Sequence, residues 1–104
     1  MTVIDHEPSG WFLVRDGMRL LLDVNCSHSA VSHQFLMQLN DVERDAYAAR
    51  GHEFLSELAE KVQASAPGVI GTASPYRARN LGGADSTRVD AVTIAWLKER
   101  RDAL

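Results

Sequence analysis

Cys26, His28 and His33 lie close together, with Asp23 just upstream. A cysteine and two histidines are the side chains of a zinc site or of a thiol–imidazole nucleophile pair. Their spacing argues against the zinc site. Cys26 and His28 sit two apart on a turn, His33 follows a strand's length later, and no second cluster supplies the remaining ligands. A reactive cysteine also needs a cationic neighbour or a helix N-terminus to lower its pKa, and the sequence sets neither there. The favoured reading is a small buried thiol at a strand end and a turn histidine. His33, between Val31 and Phe35, reads as a core-edge histidine.

Tyr76-Arg77-Ala78-Arg79-Asn80 is the segment best equipped to bind something. Guanidinium forks suit carboxylates and phosphates, and a tyrosine ring offers a stacking surface. Tyr76, Arg77, Arg79 and Asn80 are therefore the candidate site for a small anionic ligand or an acidic partner. The competing expectation is that the arginines pair with acids of their own chain's long helix. No Ser/His/Asp set, carboxylate pair or phosphate-binding glycine loop is visible, since Gly82-Gly83 follows no strand. No catalytic residue, metal or cofactor is implied.

The balance of 11 basic against 14 acidic residues leaves a formal charge of −3. That disfavours nucleic acid, which rewards a basic excess. One cysteine cannot form an internal disulfide. The N-terminal residues carry neither a basic nor an apolar leader pattern, and apolar runs are too short to cross a membrane. A reducing cytoplasm is the expected location. With 104 residues, 45% of them hydrophobic, the chain suits one globular domain.

The elements that must position these residues follow from periodicity. Residues 1–9 read as a polar arm. Asp16-Gly17 between two apolar runs predicts a hairpin with strands over about 10–15 and 18–24. The register expected from that turn sets Leu13 opposite Leu20 and Trp11 opposite Leu22. The opposite face carries Phe12, Val14 and Leu21 and is also apolar, which is unusual for a solvated antiparallel sheet. Alternation over 29–39 predicts a third strand, joined through a short connection at 25–28. Asn40 and Glu43 form a capping-box pattern at the start of a helix running to about Ala66. Its stripe is Tyr47, Gly51, Phe54, Leu55, Leu58, Ala59 and Val62. Gly51 in that stripe signals close approach to the sheet in preference to a kink. Residues 67–84 read as a long glycine-rich loop with a short helical turn over 75–80. A last helix follows over about 87–102.

The expected fold is α+β and two-layered: a three-stranded antiparallel meander, a long helix packed on it, a long loop and a C-terminal helix. The expected function is non-enzymatic binding or assembly through protein contact. Phe12, Val14, Leu21 and Trp96 would form the interface with a second copy of the chain or another protein. The alternative cover for that face is the last helix, through Val89, Val92 and Trp96. An anion module at Arg77 and Arg79 is the second function reading, and a thiol or metal enzyme at Cys26, His28 and His33 the third.

Overall fold

The structure is a computed structural model and describes residues 1–8, 10–28, 31–65 and 74–102, without the side chains of 27, 28, 31–33, 77, 101 and 102. Its elements are β1 (Thr2–Glu7), β2 (Trp11–Asp16), β3 (Arg19–His28), β4 (Val31–Gln38), α1 (Asp41–Arg50), α2 (His52–Ser65), a 3-10 turn (Arg77–Arg79) and α3 (Gly83–Asp102). The four strands form one antiparallel sheet in the order β1-β2-β3-β4. Two corrections follow at once: the sheet has four strands and not three, and it packs against three helices. Among the described residues no helix is long and apolar enough to cross a membrane.

The polar arm expected over 1–9 is the edge strand β1. Its sequence, Thr-Val-Ile-Asp-His-Glu, hides the alternation for a physical reason. Val3 pairs with Val14 and Asp5 with Leu13, so Ile4 is an extra residue in a bulge. The bulge turns Val3 towards the sheet face that holds Val14, while Asp5 and Glu7 reach His52 on the other. An edge strand also tolerates polar side chains, since half of its backbone faces no partner strand.

In the β2–β3 hairpin, Asp16 pairs with Arg19, and the turn residues are Gly17 and Met18. The expected register is thus displaced by two. Arg19 closes the ladder by donating to Asp16 at 2.6 Å, and Gly17 takes φ 62°. An even displacement leaves every side chain on its expected face. Beyond Val24, residues 25–28 continue β3 and pair with 31–34, so the expected connection there is strand.

The capping box at the start of α1 forms as expected: Glu43 N–H donates to Asn40 Oδ1 at 2.8 Å and Asn40 N–H to Glu43 Oε1 at 2.9 Å. The single long helix does not. Gly51 breaks it with φ 68° and ψ −144°, its N–H still donating to the Tyr47 carbonyl at 2.7 Å. Close approach is not the reason for the glycine, because a side-chain carbon there would meet no atom within 4 Å. Its left-handed backbone is the reason.

One core lies between the sheet and α2. Trp11, Leu13, Leu22, Val24, Phe35 and Met37 meet Leu55, Leu58, Ala59 and Val62, with Leu20, Tyr47 and Phe54 at the margin. A smaller core lies on the opposite face, where Val14, Leu21 and Leu36 pack under Val89 of α3. The two-layer expectation is therefore also corrected: both faces carry helix. α3 is anchored at its start by Arg19, which bridges Asp16 of the hairpin and Asp85 at 3.0 Å.

Candidate functional site

The structure separates the residues of the Tyr76–Asn80 segment. Arg79 donates to both carboxylate oxygens of Glu43 and to the Gln38 carbonyl. Its guanidinium is thus committed to its own chain, at an acid of α1. Tyr76 packs against the larger core, its N–H held by the Ser74 hydroxyl. Asn80 bridges to Met37 through the backbone. The Arg77 side chain lies outside the described residues. No convergent anion site forms from the described members of this set.

Cys26 is fully buried in the larger core, and burial, with Asp23 adding to it, pushes its thiol pKa up. That disfavours the thiolate a nucleophile needs. The side chains of His28 and His33 lie outside the described residues. Among the described residues no group of three His, Cys, Asp or Glu side chains is arranged to hold a metal ion.

Of the expected interface set, Val14 and Leu21 are interior residues under α3, both fully buried. Phe12 meets Trp96 of α3 edge to face, ring centroids 5.7 Å apart. The apolar second face that suggested a dimer is covered within one chain.

That same face changes character along the strands, and there a cleft opens. The period of two that aims Val14, Leu21 and Leu36 at α3 continues to Phe12, Asp23, Asn25 and Gln34. Phe12 lies opposite Asp23, and Asn25 opposite Gln34. Val89 seals the apolar end, and Trp96 covers Phe12 and His6. Beyond them a cleft of about 410 Å³ is lined by His6, Phe12, Asp23, Asn25, Gln34 and Leu97. Such a volume suits a small organic molecule.

Asp23 is the unusual member. It is 4% exposed, yet among the described residues no hydrogen bond or ion pair reaches its carboxylate. Burial, with Asp90 of α3 adding to it, pushes its pKa up to about 6. His6 is shifted the other way: burial, then the positive charge of Arg100, holds its imidazole below the usual histidine value. The neutral ring serves as an aromatic wall, 5.0 Å from Phe12 and 4.6 Å from Trp96 between centroids. Arg100 itself lies over the Trp96 ring at 4.6 Å.

On the α2 face a wider groove of about 650 Å³ runs past Glu7, His52, Glu53, Glu57 and Glu60. Its polar groups are exposed and partly answer one another, Glu7 holding His52 and Glu57 holding Arg50. Among the described residues no buried polar group is left unpaired there, which makes it the weaker candidate.

Sequence reasoning missed Asp23 and His6 as site residues. The available signal was an acid set among apolar residues on both sides in Leu20-Leu21-Leu22-Asp23-Val24. His6 carried none, because its strand was read as an arm. No family model matches the chain, and neither a curated protein nor a solved structure does.

Proposed function

We propose that the protein works by binding and not by catalysis, and that a small organic ligand seats in the cleft between the sheet and α3. One observation carries this reading: Asp23 is buried in the wall of the cleft, and no described residue pairs with its carboxylate. Buried polar groups are ordinarily satisfied, so an unsatisfied one facing a cleft is a place for a ligand's donor. Aromatic walls from His6 and Phe12 supply the apolar contact.

The test is a titration followed by amide chemical shifts, using a library of small aromatic and alicyclic fragments. Binding should move the signals of Phe12, Asp23, Gln34 and Leu97 together. A library that leaves all four in place at millimolar concentration overturns the reading.

A second reading, contact with another protein or a second copy, draws support from Ile94 (65% exposed) and Leu97 (46% exposed) on α3. Sedimentation at rising concentration tests it, and a mass that stays near 11.5 kDa excludes self-association. A reducing cytoplasm suits the single buried thiol in either reading.

A further inference from the structure

The chemistry of the cleft also names a class of ligand, an inference that rests on the binding reading above. Among the described residues two carboxylates are buried, and the fold treats them differently. Glu43 receives Arg79 and the Asn40 N–H. Asp23 receives nothing from the described residues, although it is the more deeply buried of the two.

The charges around Asp23 have one sense. Asp90 of α3 is the charged neighbour that acts on it, and it is another acid. No described cation acts on Asp23: Arg100 lies over Trp96, and Arg19 and Arg88 hold Asp16 at the hairpin turn. His6 is kept neutral and does not compete for the carboxylate. Among the described residues the cleft therefore offers no positive partner for its buried acid. A single carboxylate with no second acid among the described lining residues is a poor cage for a hard metal ion, which takes six or more oxygens. It is a good seat for one N–H cation, since charge-assisted hydrogen bonds strengthen away from water. Beside it stand the Phe12 ring, the His6 ring and Leu97.

We infer that the cleft takes a compact organic cation, a protonated amine or amidine on an apolar ring, with the cation on Asp23 and the ring against Phe12 and Leu97. Binding should then depend on pH. Asp90 of α3 is the charged group acting on Asp23, His6 of β1 and the neutral Gln34 of β4 line the same cleft, and Cys26 of its own strand lies on the other face of the sheet. As pH falls through about 6, Asp23 takes up a proton and the cation loses its counter-charge.

The test uses three probes of one shape and three charges: benzylamine, benzyl alcohol and benzoate, titrated by calorimetry and by amide shifts. Benzylamine should bind about tenfold to a hundredfold more tightly than benzyl alcohol, the range expected for one hydrogen bond to a charged group. Benzoate should bind least. Asp23→Asn should remove the preference for the amine while keeping the alcohol. Acidification should weaken benzylamine on the wild-type chain and leave that variant's weaker binding far less changed. The wild-type series needs no variant to decide the matter. If the alcohol or benzoate moves the cleft amides as tightly as the amine does, the cation class is wrong and the binding reading stands. If none of the three moves them, both fall.

Discussion

Arg79 sets both arms of its guanidinium on the carboxylate of Glu43, with Nη1 2.9 Å from Oε2, and reaches the Gln38 carbonyl at 2.7 Å. The same carboxylate accepts the Asn40 N–H. One ion pair thereby joins the end of β4, the start of α1 and the 3-10 turn. Geometry that looked suited to an external anion is satisfied inside the fold.

Replacing Arg79 by Ala should cost about 1–3 kcal/mol, between the values for exposed and buried pairs. Burial pushes the Glu43 carboxyl up, but Arg79 and the Asn40 N–H outweigh it and hold its pKa below the usual 4.5. A lowered carboxylate pKa stabilises the fold above the unfolded value and loses that contribution as pH falls through the folded one. The gap between wild type and Arg79→Ala should therefore be widest near neutrality and shrink in acid. Urea midpoints at roughly pH 3 to 7 check this.

Gly51→Ala should destabilise by about 1–3 kcal/mol, although the site has room for a side chain. A continuous helix would have gained up to about 1 kcal/mol from the same change. The sign of the shift in melting temperature separates the two geometries.

His52 holds β1 to α2, with Nδ1 2.9 Å from Asp5 and Nε2 2.7 Å from Glu7. Hydrogen bonds to Asp5 and then Glu7 raise its pKa above 6.5. Only the imidazolium donates from both nitrogens. The contribution is complete below 6.5 and lost as pH rises through the raised value. The site is 42% exposed, so the effect is under about 1 kcal/mol. Hydrogen exchange of β1 amides, corrected for intrinsic rates, should speed up in mild alkali, and His52→Gln should abolish that dependence.

Leu58→Ala should cost about 2–5 kcal/mol and Val89→Ala about 1–3 kcal/mol, since each is buried, on opposite faces of the sheet. Their separation across the sheet makes the two losses additive within about 0.5 kcal/mol in the double variant. A large coupling would mean that the two cores unfold around a shared cavity.

Local rules carried much of this fold. Alternation assigned the faces of β2, β3 and β4, helical spacing found the Leu55–Leu58–Ala59–Val62 stripe, and the Asn40–Glu43 cap marked where the period changes. Each depends on residues within a few positions of one another, so each can be read from the chain. What depended on distant partners could not be. β1 is a strand because β2 offers an edge and because His52 and Trp96 receive its polar side chains. Whether Gly51 bent the helix or let it approach the sheet shows only in its positive-φ backbone and the open space beside it. The cleft exists because α3 returns across the second face, covering Val14 and Leu21, while Asp23 is buried with no partner among the described residues. Spacing along the chain orders side chains on a face, but burial and the pairing of charges belong to the surfaces that close over them.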